Sequence, residues 1–143
     1  MLVCDDCDVE GTVEGVLAAG FIASGQTCVT GSRIIVQEGV YEEVVERLVR
    51  RTGELKVGRP WDGDTDIGAV IDGKAVERCQ WFVDTARKEG ASVLAGGEAL
   101  KVDGKVCPLF LWRLISRGIS FNRRCWEIVF RNIRLYNVRY SVR

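Results

Sequence analysis

Residues 21–37 read FIASGQTCVTGSRIIVQ, and this stretch joins three kinds of local sequence. An apolar helical pattern ends at its start, and a small, polar loop around Cys28 fills its middle. The β-branched run Ile34–Val36 follows, and we predict that it is a strand buried on both faces. A helix, a loop and a buried strand in this order are typical of α/β proteins.

Three helices are predicted around this stretch from apolar residues at helical spacing. The first begins after Asp8, a residue type that caps helix N-termini, and covers the pattern up to about residue 24. The second covers Tyr41–Arg51. The third begins near Asp72 and ends before Gly90, which is placed to end a helix.

Two segments between and after these helices have a different character. Residues 56–68 (KVGRPWDGDTDIG) are rich in turn formers and predict an extended connection. Ser92–Ala95 predicts a further short strand, which Gly96 and Gly97 end. Strands that alternate with helices predict an α/β fold with a mainly parallel sheet and flanking helices.

The charge of the chain is divided unevenly along its 143 residues, although the formal net charge is zero. Residues 1–103 hold 11 basic and 19 acidic residues, whereas residues 104–143 hold nine basic residues and one acidic residue. We therefore predict two segments, 1–103 and a basic tail, 104–143. The arginines of the tail lack a spacing that would gather them on one face, so we expect no nucleic-acid partner.

The chain shows no pattern of a membrane or secreted protein. Its longest apolar run, Val106–Ile115, is interrupted by Pro108 and Arg113 and is too short to span a bilayer. Aspartates follow Met1 closely, unlike a signal peptide. We expect a cytoplasmic chain with free thiols and no membrane partner.

Two other patterns leave alternative functions open. Cys4 and Cys7 form a CxxC that suits a redox pair or half of a zinc site, but the chain has no histidine and no second CxxC. Asp62, Asp64 and Asp66 alternate like calcium ligands without the glycine and the glutamate that a calcium loop requires. A strand end and an acidic surface turn are the simpler interpretations, and we expect no metal site.

Cys28 is the strongest candidate for chemistry. A cysteine is often a small buried packing residue, and that interpretation remains open. The residues around Cys28 are small or polar, however, unlike those of a core. Without histidine, papain-like and caspase-like mechanisms are excluded, but backbone dipoles can activate a thiolate and the N–H of the cysteine can bind an oxyanion.

Longer stretches of the chain are similar to a known family. GQTC at 25–28 followed by SR at 32–33 matches the active-site cysteine motif of the NAD(P)-dependent aldehyde dehydrogenase superfamily. The stretches DDCD at 5–8, LKVG at 55–58 and DTDIG at 64–68 agree with it in order and spacing. About two-thirds of the chain resembles the central part of that family's catalytic domain, so the resemblance implies a fragment of this α/β domain.

The resemblance implies a covalent mechanism in which Cys28 attacks a small-molecule aldehyde. A hydride of the resulting thiohemiacetal passes to NAD or NADP, and the thioester is hydrolysed to a carboxylic acid. It also implies that the backbone N–H of Cys28 helps to hold the oxyanion. Gly25, Gln26 and Thr27 would shape the loop beside the nucleophile.

Other parts of the family pattern do not occur in the matching segment. These are the general-base glutamate, the oxyanion asparagine, the lysine that contacts the cofactor and the dinucleotide-binding domain. We therefore expect no cofactor-binding site in this chain and little or no turnover by the chain alone. The alternative is an inactive fragment or a pseudoenzyme that associates with full-length subunits of the family. A frameshifted or mis-spliced segment would account for the basic tail.

Overall fold

The fold is seen in a computed structural model of the chain that describes residues 1–102, 105–106 and 134–138. The elements in this part of the chain are β1 (Leu2–Val3), α1 (Val9–Phe21), a 3₁₀ turn (Ile22–Gly25), β2 (Arg33–Gln37), α2 (Glu38–Glu54), α3 (Gly73–Lys88), β3 (Lys101–Val102), β4 (Lys105–Val106) and β5 (Arg134–Val138). None of the described helices is both long enough and apolar enough to cross a bilayer.

The strands form a small parallel sheet and a separate hairpin. The sheet has the order β1-β2-β5, with Leu2 opposite Ile35 and Arg33 opposite Arg134. Both pairings are parallel, which confirms the predicted sheet type. β3 and β4 pair antiparallel with each other. β5 belongs to residues 104–143, the predicted basic tail, and it pairs with β2 of the first segment.

The main core lies between β2 and the two helices beside it. Ile34 and Val36 of β2 are fully buried, whereas Ile35, which points to the other face of the sheet, is only half-buried. The prediction of a strand buried on both faces is therefore wrong for one face. The helices contribute a stripe of buried apolar residues at helical spacing: Val13, Val16 and Leu17 from α1, and Tyr41, Val44, Val45 and Leu48 from α2.

The helix ends follow the local sequence signals. The Asp8 carboxylate accepts a hydrogen bond from the Gly11 N–H at 3.1 Å, and the Asp72 carboxylate accepts one from the Ala75 N–H at 2.7 Å. Gly90 has a φ of +87° just beyond α3. These caps confirm the predicted starts of α1 and α3 and the predicted end of α3.

α2 is longer than predicted, because its apolar stripe continues beyond Tyr41–Arg51. Val40 packs against the core before this range, and Thr52 is buried after it. The Thr52 hydroxyl donates to the Leu48 carbonyl, so its polar group is satisfied within the helix. A threonine can lie on a buried helix face when its hydroxyl is hydrogen-bonded within the same helix, because no polar group is then left unsatisfied.

Ion pairs join the exposed sides of α1 and α2. Arg47 contacts Glu10 at 2.8 Å, and Arg51, one turn later, contacts Glu14 at 2.7 Å. The two contacts repeat every four residues on both helices, as expected for helix faces that lie side by side. The hydrogen bond from Arg51 holds the pKa of the Glu14 carboxyl below its ordinary value.

The predicted strand at Ser92–Ala95 does not form. In the described part of the chain these residues have no strand partner, and Val93 instead packs against α3 near Val83. Gly90 and Gly97, with φ of +87° and +84°, turn the chain on both sides of this segment. Val93 thus packs against a second, smaller hydrophobic core, which includes buried residues of α3. This packing takes the place of sheet pairing.

Residues 56–68 do not form an extended connection but close into a loop. The Ile67 N–H donates to the Lys56 carbonyl at 3.1 Å, and the Gly58 N–H donates to the Ile67 carbonyl at 3.1 Å. The Asp66 carboxylate accepts from the Lys56 N–H at 2.8 Å. The two ends of the segment therefore meet, and Ile67 becomes buried.

Candidate functional site

Cys28 lies in the loop that leaves α1 and leads into β2. Its thiol is free and exposed, so in this structure Cys28 is not a buried packing residue. The loop returns to α1 through the Gly31 N–H, which donates to the Ala19 carbonyl at 2.9 Å. A Cβ at Gly31 would lie 3.1 Å from both the Ala19 Cβ and the Met1 sulfur, so this close return favours glycine.

The chain reverses between α1 and Cys28 through three consecutive left-handed residues. Ala23 has φ +48° and ψ +41°, Ser24 has φ +58° and ψ +31°, and Gly25 has φ +73°. A residue with a Cβ loses about 1–2 kcal/mol in this conformation. The left-handed conformations of Ala23 and Ser24 were not predicted from the sequence, because neither is a residue type that signals a left-handed turn.

Two hydrogen bonds attach this reversal to a segment more than 40 residues further along the chain. The Ser24 hydroxyl donates to the Gly68 carbonyl at 2.9 Å, and the Gln26 side-chain oxygen accepts from the Ile71 N–H at 2.9 Å. The Gln26 amide nitrogen also donates to the Ala23 carbonyl at 3.2 Å. These contacts hold the strained backbone in place from both sides.

Thr27 organises the turn that carries the thiol. Its hydroxyl oxygen accepts from the Val29 N–H at 3.1 Å, and its carbonyl accepts from the Thr30 N–H at 3.2 Å. Cys28 therefore lies at the tip of a turn closed by its two neighbours. Within the described part of the chain, the hydrogen bonds of this loop do not use the Cys28 N–H. An exposed thiol beside an uncommitted backbone donor suits addition to a carbonyl, whose oxygen becomes negative.

A groove of about 760 Å³ lies next to this loop. Its lining includes the last turns of α1, the closed loop near Ile67, and Ser24 and Gln26. Cys28 does not line the groove. Ser24 and Gln26 thus line the groove just before the turn that carries the thiol. The DTDIG stretch at 64–68, which was part of the family resemblance, contributes residues to this groove. Its contact with the Cys28 loop was not predicted from the sequence.

The other candidate side chains from the sequence are placed elsewhere. Asp64 contacts the Lys56 ammonium at 2.9 Å, and this hydrogen bond holds the pKa of the Asp64 carboxyl below its ordinary value. In residues 1–102, 105–106 and 134–138, no three cysteine or acidic side chains are grouped as metal ligands. Most arginines of the basic tail, on which the expectation of no nucleic-acid partner rests, lie outside the described part of the chain.

The N-termini of the three described helices are poorly suited to the pyrophosphate of a dinucleotide. The pyrophosphate of such a cofactor binds at a helix N-terminus through backbone N–H groups and the helix dipole. The Asp8 carboxylate caps α1, the Asp72 carboxylate caps α3, and α2 begins with Glu38. A carboxylate at each of these described helix starts would repel the phosphates.

Comparisons with known proteins give a consistent result. The sequence model described as "Aldehyde dehydrogenase family" matches residues 1–119. Glutarate-semialdehyde dehydrogenase of Pseudomonas putida is 40% identical over 100 residues, which are 70% of this chain and 21% of that protein. Betaine aldehyde dehydrogenase of Mesorhizobium japonicum is 29% identical over 124 residues, which are 87% of this chain and 26% of that protein.

A solved structure is similar over nearly the whole chain. It is a point mutant of betaine aldehyde dehydrogenase from Staphylococcus aureus, in complex with NAD+ and with a BME-modified cysteine. The TM-score is 0.86 at 28% sequence identity, and the likeness covers 97% of this chain and 28% of that one. The chain thus spans about a quarter of the length of these relatives. The family match ends within residues 104–143, and the boundary at residue 103 stays a prediction.

Proposed function

The chain belongs to the aldehyde dehydrogenase family, and from this premise we propose that Cys28 is the nucleophile that adds to a small-molecule aldehyde. In this step a bond forms between the Cys28 sulfur and the aldehyde carbon. The π electrons of the carbonyl move to its oxygen, which then accepts a hydrogen bond from the Cys28 N–H. The Cys28 thiol gives up its proton to water as it attacks, and water returns a proton to the oxygen, so that the product is a thiohemiacetal.

The observation that carries this proposal is the combination of an exposed thiol with a backbone N–H that has no partner in the described loop. Gly25, Gln26 and Thr27 would set the direction of both groups. Gly25 allows the left-handed turn, Gln26 attaches the loop to Ile71, and Thr27 closes the turn around Cys28. A fixed geometry of this kind lowers the entropic cost of the addition.

The later steps of the family reaction require a hydride acceptor. In the family an NAD(P) cofactor fills this role, and a Staphylococcus aureus relative has been solved in complex with NAD+. The three described helix N-termini are poorly suited to the pyrophosphate of that cofactor, because each carries a carboxylate. We therefore assign the addition step to this chain and expect little NAD(P)-dependent turnover by the chain alone.

Protection of Cys28 from alkylation tests the addition step. The full chain is treated with iodoacetamide with and without a small aliphatic aldehyde, and then cut after glutamates. Residues 15–38 are released with Cys28 as their one cysteine, and residues 1–10 carry Cys4 and Cys7. We expect the aldehyde to slow alkylation at Cys28 but not at Cys4, which is also exposed.

Two variants make this experiment decisive. Thr27→Val removes the hydroxyl that closes the turn, and we expect the protection of Cys28 to decrease while Cys28 stays accessible to iodoacetamide. Cys28→Ser removes the labelled site and identifies the peptide. Equal protection of Cys4 and Cys28 in the wild-type chain would show ordinary thiol–aldehyde chemistry and would refute a special role for Cys28.

A second function, association with full-length subunits of the family, is favoured by the surface. Large apolar side chains are exposed at Trp61 (76%), Ile71 (78%) and Trp81 (59%). β1 lies at an edge of the described sheet, and open edges favour pairing with another chain. Sedimentation of the chain with and without a full-length family member tests this function. Unchanged sedimentation of both proteins at micromolar concentration would contradict it.

A further inference from the structure

Cys4 and Cys7 flank a tight turn between β1 and α1. The Cys7 N–H donates to the Cys4 carbonyl at 3.3 Å. A turn with this hydrogen bond brings the Cα atoms of its first and fourth residues within about 7 Å. Disulfides join residues whose Cα atoms lie about 4.4–6.8 Å apart, so the backbone needs little adjustment to link these two cysteines.

The two thiols differ in access. Cys4 is exposed, whereas Cys7 is half-buried and packs against the core beside α1. A small disulfide in solution therefore reaches Cys4 first. Cys7 is placed to attack the Cys4 sulfur afterwards, because the turn keeps it close. This order of an accessible and a shielded thiol is the usual arrangement of an attacking and a resolving cysteine.

The turn is fixed by a reciprocal pair of hydrogen bonds to the end of β2. The Asp5 N–H donates to the Gln37 side-chain oxygen at 3.0 Å, and the Gln37 amide nitrogen donates to the Asp5 carboxylate at 2.6 Å. The Asp8 carboxylate is bonded to the Gly11 N–H. Two of the three nearby carboxylates are thus hydrogen-bonded to N–H groups.

Cys28 is not positioned to compete for either cysteine. β1 and β2 run parallel, so the turn after β1 lies beyond the Gln37 end of β2, whereas the Cys28 loop precedes the Arg33 end. The ends of β2 are about 13 Å apart, since each strand residue advances by about 3.3 Å. This separation exceeds the reach of a disulfide.

We propose that Cys4 and Cys7 are a thiol–disulfide pair that is separate from Cys28 and reacts with low-molecular-weight disulfides such as glutathione disulfide. The Cys4 thiolate attacks one sulfur of glutathione disulfide, and the first glutathione leaves as a thiolate. The Cys7 thiolate then attacks the Cys4 sulfur and displaces the second glutathione. Two cysteine thiols are oxidised to one disulfide, glutathione disulfide is reduced to two glutathione molecules, and the two protons pass to the leaving thiolates.

The test uses the full chain, reduced, freed of reductant, incubated with glutathione disulfide and cut after glutamates. We expect the peptide of residues 1–10 to lose the mass of two hydrogen atoms and to resist alkylation. The Cys28 peptide, residues 15–38, is the internal control and should retain a bound glutathione, because Cys4 and Cys7 lie out of reach of Cys28. In Cys7→Ser the peptide 1–10 should also retain one glutathione on Cys4.

A further variant tests the contribution of the fold. Gln37→Ala removes both bonds to Asp5, and we expect slower closure of the Cys4–Cys7 disulfide with unchanged glutathione addition at Cys28. A wild-type chain that keeps glutathione on Cys4 while Cys7 is still alkylated would overturn the proposal. A disulfide between Cys28 and either cysteine would overturn it as well. Neither result depends on whether Cys28 adds to aldehydes.

Discussion

Replacing Gly25 by alanine tests whether the Cys28 loop depends on a left-handed backbone. Gly25 is buried and has a φ of +73°, and a Cβ there would lie 3.4 Å from the Gly20 carbonyl oxygen. The matched control is Gly15→Ala. Gly15 is exposed in the middle of α1, and a Cβ there would meet nothing within 4 Å. Both variants add the same methyl group to the chain.

The two substitutions should change the free energy of unfolding in opposite directions. Alanine in the left-handed conformation costs about 1–2 kcal/mol. The reduced entropy of the unfolded chain offsets about 0.4–1 kcal/mol of this cost. Gly25→Ala should therefore lower the stability by about 1 kcal/mol, with a small addition from the contact with Gly20. Gly15→Ala should raise it by about 1 kcal/mol, the usual gain in a helix interior.

Urea unfolding followed by far-ultraviolet circular dichroism measures the difference. With a slope of about 1–3 kcal/mol per molar urea, a difference of about 2 kcal/mol separates the two midpoints by about 1 M. Refolding from high urea checks that the transition is reversible. A Gly25→Ala chain as stable as wild type, beside a stabilised Gly15→Ala chain, would refute the left-handed turn before Cys28.

Three other substitutions test the packing around the site. Leu48→Ala should cost about 3 kcal/mol in urea unfolding, because Leu48 is 1% exposed at the centre of the main core; a loss below about 1 kcal/mol would contradict this packing. Asp72→Ala should cost about 1 kcal/mol through loss of the α3 cap, while Asp72→Asn should cost much less, and equal losses would argue against capping. Arg51→Met should destabilise the chain near neutral pH, because it removes the ion pair with Glu14. Arg50→Met, at an exposed position, is the matched control. Because Arg51 lowers the pKa of Glu14 in the folded chain, this loss should be fully present above the ordinary glutamate pKa of about 4.3 and vanish as the pH falls through the lowered value; a loss independent of pH would refute the ion pair.

Part of the fold followed from local sequence signals. Asp8 and Asp72 were predicted as helix starts, and both carboxylates cap their helices in the structure. Such signals are reliable because a cap is a contact between residues three positions apart. The segment Ser92–Ala95 was predicted wrongly as a strand, since a strand needs a partner that lies far away in sequence.

The sequence likewise predicted only part of the candidate site. The motif GQTC at 25–28 indicated the family and the position of Cys28, and the family is confirmed. The motif contained no sign that Ser24 bonds to Gly68 or that Gln26 bonds to Ile71. These contacts exist only in the folded chain, in which residues 56–67 close into a loop through backbone hydrogen bonds between Lys56 and Ile67.

The sequence by itself determined the family, the α/β class and the helix caps, and it indicated Cys28 as the candidate nucleophile. These features rest on residue types and on contacts between near neighbours, which each stretch of chain carries with it. Only the tertiary structure decided that Ala23 and Ser24 adopt left-handed conformations and that Gly68 and Ile71 hold them. A strained backbone is stable only when contacts from distant residues offset its free-energy cost. Those contacts exist only after the chain has folded.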